Sequence, residues 1–153
     1  MPPSRLSDML HEADGNVFSS INAPTAGPRN DDRLQRGDNP FQLYSLATPN
    51  GQKIGIVLEE FGIPYDAFVI HLTGEQFSRG FYEVNPNSKI PAAIDNCGVE
   101  GQKEVRLFES GSIALYLADK YKRFIPRDPA KRAECMNWVF WQVGGQGPMV
   151  RAL

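Results

Sequence analysis

The chain has 153 residues and 17.0 kDa, with 41% hydrophobic and 22% charged residues, which fits one ordinary globular domain plus a tail. Sixteen Lys and Arg against eighteen Asp and Glu leave a formal net charge of −2, which speaks against a nucleic-acid binder and against an electrostatic membrane anchor. No apolar run approaches the roughly 20 residues that a membrane-spanning helix needs.

Residues 1–40 are punctuated by Pro2, Pro3, Pro24, Pro28 and Pro40 among Ser, Asn, Asp and Gly, with Phe18 as the lone aromatic before Phe41. Such a stretch buries too little surface to offset its ordering entropy, and a flexible extension is expected, with at most a short helix near Leu6–Glu12. From Phe41 to Leu46 apolar and polar residues alternate, which predicts a half-buried strand. Thr48-Pro49-Asn50-Gly51 is dense turn chemistry, and Ile54, Val57, Leu58 and Phe61 then fall on one stripe of a helix that Gly62 and Pro64 stop. Tyr65–Leu72 predicts a second strand, parallel to the first because a helix-length crossover joins them. A polar connection with a short helix near Gln76–Phe81 follows. Lys89–Asp95 reads as a third strand entered through a proline, Cys97–Lys103 as a hairpin loop and Val105–Phe108 as a fourth strand. Glu109-Ser110 opens a helix with Ile113, Tyr116, Leu117 and Tyr121 on its apolar side. The order β-α-β, connection, β-β-α is that of a thioredoxin-like α/β unit, a four-stranded mixed sheet with flanking helices.

A last helix is expected after Asp128, a good N-cap with Pro129 at the first helical position. Ala133, Met136, Phe140 and Val143 share one face, and Gly144-Gly145 ends the run. Trp138, Phe140 and Trp141 are read as hidden core.

Four places carry potential chemistry, each with a plain structural alternative. Thr48 and Asn50 sit where a helix begins, so unpaired N–H groups and the positive end of the dipole favour an anion such as a thiolate; equally, either residue simply caps the helix. Lys89-Ile90-Pro91 offers, if the peptide before Pro91 is cis, backbone groups to a peptide-like ligand; spacing alone favours trans. Glu109 and Ser110 precede a helix and form a carboxylate site or an ordinary N-cap. The aromatic Trp138–Gln142 stretch is the fourth. Glycine-rich nucleotide loops and a serine-hydrolase elbow are missing, His11 and His71 are isolated, and no metal site is expected. Cys97 and Cys135 form no CxxC and are read as reduced and structural. With no apolar leader and with Asp8, Glu12 and Asp14 near the start, a reducing, cytoplasmic setting is the expectation.

In this order the motifs resemble the glutathione transferase superfamily over residues 41–149, and most of all its nu-class branch of disulfide-bond oxidoreductases and yeast prion-type nitrogen regulators. The resemblance rests on Leu43–Lys53, Leu58-Glu59-Glu60, Gln76-Phe77-Ser78, Val84–Ala92, Phe108–Ile113 and Trp138–Met149; Ile21–Gly27 is also similar to an extension that some members carry. It implies a cis Pro91, with the Ile90 backbone paired to the cysteinyl part of glutathione. Glu109 and Ser110 would hold the γ-glutamyl end, Lys89 a carboxylate, and Gln76 a further polar contact. Thr48 and Asn50 would sit by the sulfur and act as the catalytic pair, while Tyr44 and Ser45 fall too early in the first strand.

The activity implied is reduction of a small disulfide, or attack on an electrophile, by the bound glutathione thiolate, with glutathione as cosubstrate and no metal. Residues 41–126 would be the glutathione-binding domain, and 127–153 the first helix of a truncated all-α C-terminal domain. A homodimer is implied once that helical domain is complete. The alternative is a non-catalytic glutathione-binding or interaction module.

Overall fold

The computed structural model of the chain describes residues 27–99 and 103–151. Phe41–Ser45 forms β1, Pro49–Phe61 α1, Tyr65–Val69 β2, Arg79–Val84 α2, Ala92–Asp95 β3, Val105–Phe108 β4 and Ser110–Tyr121 α3. Pro129–Trp141 is α4, five π-helical residues follow at Gln142–Gln146, and Gly147–Arg151 is α5. The strands make one sheet in the order β2-β1-β3-β4. β1 and β2 are parallel across the α1 crossover, whereas β3 runs antiparallel to both β1 and β4. This is the thioredoxin-like mixed sheet expected from the element order.

Local chemistry sets the boundaries. Thr48 caps α1, Pro49 fits its first turn without losing a needed N–H, and Gly62 ends it at φ 67. β2 stops at Val69, and the Ile70 amide donates to the Ser45 carbonyl at 2.8 Å before the chain turns. The helix expected at Gln76–Phe81 is two short pieces: a 3-10 turn at Glu75–Phe77 and then α2, whose cap Ser78 accepts from the Phe81 amide. The Leu6–Glu12 helix lies outside the described residues, as do residues 1–26 altogether.

Alternation along β1 predicts one wet face, yet Phe41, Gln42, Leu43 and Tyr44 are all buried. Phe41 and Leu43 join Ile54, Leu58, Phe61, Leu107, Ile113 and Leu117 under α1 and α3. On the other face Tyr44 packs with Ile70, Phe81, Val84, Ala92 and Ile94. That second face is covered by α2 and by residues 29–39, which lie along the domain. The Arg29 amide donates to the Phe77 carbonyl, the Tyr44 hydroxyl to the Gln35 carbonyl, and Leu34 packs on the second cluster. Gln42 is buried without penalty because its amide accepts from the Gly37 N–H and donates to the Asn39 carbonyl and to Asp66.

The C-terminal helix departs from expectation in two ways. Gly144-Gly145 does not end it, since the π-helical stretch carries the chain on into α5. Its aromatics are not core either: Trp138, Phe140 and Trp141 are 61%, 62% and 54% exposed, with the two indoles edge-to-face. The residues that α4 and the π turn bring against α1 and α3 are instead Cys135, Val139, Gln142 and Val143. Helical periodicity puts the tryptophans on a different face of the same cylinder. Arg132 further pins α4 to α3 through a two-pronged pair with Asp119 at 2.9 and 2.7 Å.

At the end of the sheet where β3 finishes, Asp95 is 1% exposed and fully engaged. One oxygen accepts from the Cys97 and Gly98 amides, the other from the Tyr116 hydroxyl and the Lys120 ammonium. Burial, reinforced by that carboxylate, pushes the Tyr116 phenol well up. Cys97, read from sequence as reduced and structural, is exposed in the loop beside this hub; it and Cys135 are free thiols.

Candidate functional site

Strand register assembles the opposite end. Tyr44 of β1 is level with Ala92 of β3, and Ala92 with Phe108 of β4. The residues just past this row are the Ser45–Thr48 turn leaving β1, Ile90-Pro91 entering β3, and Glu109-Ser110 leaving β4. Two helices start here, α1 at Pro49 and α3 at Ser110. Two positive dipole ends and their unpaired amides therefore meet at one edge. Thr48, Asn50, Lys89, Ile90, Pro91, Glu109 and Ser110, singled out from sequence, are brought together.

At α1 the Thr48 hydroxyl accepts from the Gly51 amide at 3.3 Å, which leaves its own proton available to donate. The first ladder bond runs from the Gln52 amide to the Thr48 carbonyl, so the Asn50 amide precedes the ladder. Gly51 makes this geometry possible: a Cβ there would lie 2.1 Å from the Leu46 carbonyl oxygen and 2.3 Å from the Ser45 hydroxyl. The helix start is thus pressed directly onto the end of β1.

The Ile90–Pro91 peptide is cis. Ile90 lies outside the β3 ladder, so pairing with β1 or β4 does not consume its amide and carbonyl. Asn85, 1% exposed, braces this loop: its side-chain amide donates to the Lys89 carbonyl at 2.6 Å and accepts from the Asn87 N–H. Lys89 is exposed at the rim, and Ser88, at φ 53, buries a hydroxyl that has no protein partner.

At α3 the first ladder bond runs from the Ile113 amide to the Glu109 carbonyl, so the Ser110, Gly111 and Ser112 amides precede it. Ser110 is 6% exposed. Glu109 holds φ 66 and ψ 118, a conformation that costs a non-glycine residue on the order of 1–3 kcal/mol, and it makes no capping bond. Glu109 is thus an exposed acid, strained at a helix start that it does not cap.

Gln76 is placed differently. It is 1% exposed, and its amide is spent on the Gly74 N–H at 3.1 Å and the Leu72 carbonyl at 2.9 Å, which shapes its own turn. Sequence reasoning missed two contributors. One is the Asn85 brace. The other is the contact between Lys53 of α1 and Gln142 of the π-helical turn, 2.7 Å from ammonium to amide oxygen. Below that contact an apolar cavity of about 260 Å³ lies between α1, α3 and α4, lined by Val57, Phe61, Ala118, Cys135 and Val139 among others. Among the described residues no group of His, Cys, Asp and Glu fits a metal ion, and no helix is long and apolar enough to cross a membrane.

A family model for the glutathione S-transferase N-terminal domain matches residues 47–120. The disulfide-bond oxidoreductase YghU of Escherichia coli is 53% identical over 137 residues, covering 85% of this chain and 46% of that protein. Protein URE2 of Eremothecium gossypii is 34% identical over 124 residues, covering 74% of this chain and 34% of that one. Among solved structures, glutathione transferase YghU from Streptococcus pneumoniae, complexed with glutathione, superposes with a TM-score of 0.82 at 42% identity, over 95% of this chain and 57% of that one. The chain spans about half the length of the curated bacterial relatives it matches, 46% to 56%.

Proposed function

Since the chain belongs to the glutathione transferase superfamily, in the branch of the disulfide-bond oxidoreductases and URE2-like proteins, we propose that the sheet end just described binds glutathione and activates its thiol. The observation that carries this is the register of β1, β3 and β4, which sets two helix starts, the Ile90 backbone and Glu109-Ser110 at one edge. The relative from Streptococcus pneumoniae with the same fold was solved with glutathione bound. Ser110 and the amides of the α3 start suit the γ-glutamyl carboxylate, and Glu109 suits its ammonium. The Ile90 amide and carbonyl suit the cysteinyl peptide, and Lys89 the glycyl carboxylate. Thr48 and Asn50 donate toward the sulfur at the start of α1, where the helix dipole favours the thiolate over the thiol.

The chemistry follows from that thiolate. Glutathione releases its thiol proton to solvent, and the thiolate attacks one sulfur of a small disulfide. A glutathionyl mixed disulfide forms as the old S–S bond breaks and one thiolate departs. A second glutathione thiolate attacks the mixed disulfide, giving oxidised glutathione and the second thiolate. The net change is two glutathione thiols oxidised for one disulfide reduced, which needs no protein cysteine. Addition of the same thiolate to an electrophile is the lesser activity of this reading.

The test uses the purified chain with glutathione and 2-hydroxyethyl disulfide, following oxidised glutathione. Turnover that falls at least about ten-fold in Asn50→Ala supports the reading, since a donor to a charged group contributes roughly 1.5–3 kcal/mol. Calorimetric binding of glutathione without turnover leaves a binding module instead. Absence of both binding and turnover overturns the proposal.

A further inference from the structure

The second face of the sheet carries a cluster that the glutathione reading leaves unused. Ile94 of β3 packs on that face, and Arg106 stands directly opposite it in β4, so Arg106 projects the same way. Its Nη1 donates to the Glu83 carbonyl of α2 at 2.9 Å. Arg79 opens α2, and Arg33 and Arg36 lie in the segment folded across that helix. The four guanidiniums line one cavity of about 360 Å³, although they come from three separate pieces of chain. Close backbone contact fixes their meeting. The Arg79 amide donates to the Asn30 carbonyl at 3.0 Å and the Gly80 amide to the Asp32 carbonyl at 2.9 Å. A Cβ on Gly80 would collide with the backbone of Arg33 and Leu34, so only glycine lets the segment lie this close.

Carboxylates that do not line the cavity orient three of these cations. Glu104 accepts from the Arg36 Nη1 at 3.0 Å and the Arg106 Nε at 2.8 Å, and Asp31 accepts from the Arg79 Nε at 2.6 Å. A guanidinium has five N–H donors in one rigid plane, so a partner on one edge fixes the plane and leaves the rest of the fork. The Arg36, Arg79 and Arg106 side chains stay 42%, 57% and 45% exposed, within reach of a ligand from solvent. Arg33 makes no hydrogen bond or ion pair among the described residues. Glu83 is the acid in the lining, against four arginines. Exposed ion pairs stabilise a fold only slightly, which leaves the arrival of a fourth, unpaired cation without a structural account.

We propose that this cavity is an anion site that takes a diphosphate group, free or as part of a phosphorylated small molecule. The arginine fork matches the paired oxygens of a phosphate, and two linked phosphates engage guanidiniums on opposite walls at once. The volume falls in the range of small-molecule sites. Asp31, Asp32 and Glu83 border the cluster, so a long polyanion laid across it meets like charge, whereas a compact one does not. A bound diphosphate would tie the folded-back segment to α2 and β4 in one contact.

The test titrates the purified chain by calorimetry with inorganic pyrophosphate, inorganic phosphate and ADP at low ionic strength. Pyrophosphate should bind, and should raise the melting temperature with the logarithm of its concentration. Its affinity should fall about ten-fold or more in Arg33→Ala and in Arg106→Ala, since each removes charge-assisted donors. Arg33→Lys, a point charge in place of a planar fork, should recover only part of that loss, and Glu83→Gln should tighten binding. ADP binding more tightly than pyrophosphate identifies a nucleotide as the source; ADP binding no more tightly identifies the diphosphate alone. Arg33 is exposed and unbonded, so Arg33→Ala keeps the fold and decides even where Arg106→Ala does not fold. No binding at millimolar pyrophosphate overturns the proposal, as does wild-type affinity in Arg33→Ala. Phosphate binding as tightly as pyrophosphate overturns the diphosphate assignment. Glutathione and pyrophosphate should bind together. One-for-one competition would put the anion at the starts of α1 and α3 and overturn the cavity. None of the pyrophosphate readouts needs glutathione, so failure of the glutathione reading leaves this site standing.

Discussion

At the end of the sheet where β1 begins, carboxylates organise the structure. Asp95 accepts from two amides, a phenol and an ammonium, and Asp66 accepts from the Asn39 amide, the Asn39 side chain and Gln42. At the end where β1 finishes, the arrangement is reversed. Two helix starts present amides ahead of their ladders, the Ile90 backbone stands outside the sheet, and Glu109 makes no capping bond and is held at φ 66. Both ends belong to the same four strands, so the contrast is one of satisfaction. The first end has spent its polar groups within the protein, and under the proposed function the second keeps its groups for a ligand. Stability and binding should therefore respond to different substitutions.

The strongest way to break that contrast is Asp95→Ala. The Asp95 and Lys120 side chains are 1% and 15% exposed, and removing one member of a buried pair costs about 3–5 kcal/mol. Urea denaturation should show that loss, with glutathione affinity of the folded fraction unchanged within about two-fold. A collapse of affinity at equal folded fraction would show that the two ends are coupled. Ser110→Ala is the converse. Glutathione affinity should fall about ten-fold or more as a hydroxyl donor to a carboxylate disappears, while the urea midpoint barely moves. Thr48→Ala lies between them, because the hydroxyl caps α1 and, in the proposed function, also faces the sulfur. It should cost about 1 kcal/mol in stability and also lower turnover, and Thr48→Ser should restore both.

How much of this contrast was legible depends on how far apart the partners lie in sequence. The open end is written in local signals. A cap before a proline, a proline at a strand entry and an acid-serine pair before a helix each act within a few residues, and the alternation of elements then places them together. The closed end and the covered second face are not local. Gln42 and Tyr44 read as the polar, wet positions of an alternating strand, and α2 together with residues 29–39 folding back makes them interior. That segment is too polar to announce itself as a cover, since hydrogen bonds rather than apolar area carry most of its attachment. The aromatics of α4 misled for a related reason: composition reports a greasy helix but not which face a neighbour takes. The Lys53–Gln142 contact joins residues 89 apart and leaves no periodic trace.

Acid gives the finest separation of the two ends. Hydrogen bonds from Asn39, backbone first and side chain next, hold the Asp66 carboxyl below its ordinary 3.8. The folded state therefore binds fewer protons there than the unfolded chain as pH falls. That contribution to stability is complete above about pH 4 and is lost as pH drops through the depressed folded value. Glu104, held low by Arg106 and also by Arg36, and Asp119, held low by Arg132, add to the same acid limb. In Asp66→Asn the side-chain amide can still accept through its oxygen but no longer titrates. Urea midpoints measured from about pH 6 down to about pH 3 should then fall less steeply than in the wild type, with the two curves separating only below about pH 4. Parallel curves would mean that the attachment of residues 38–39 to β2 does not depend on the Asp66 charge. The Asp66 side of the closed end would then be held by shape and neutral hydrogen bonds, and Asp95 with Lys120 would carry the electrostatic half of the contrast alone.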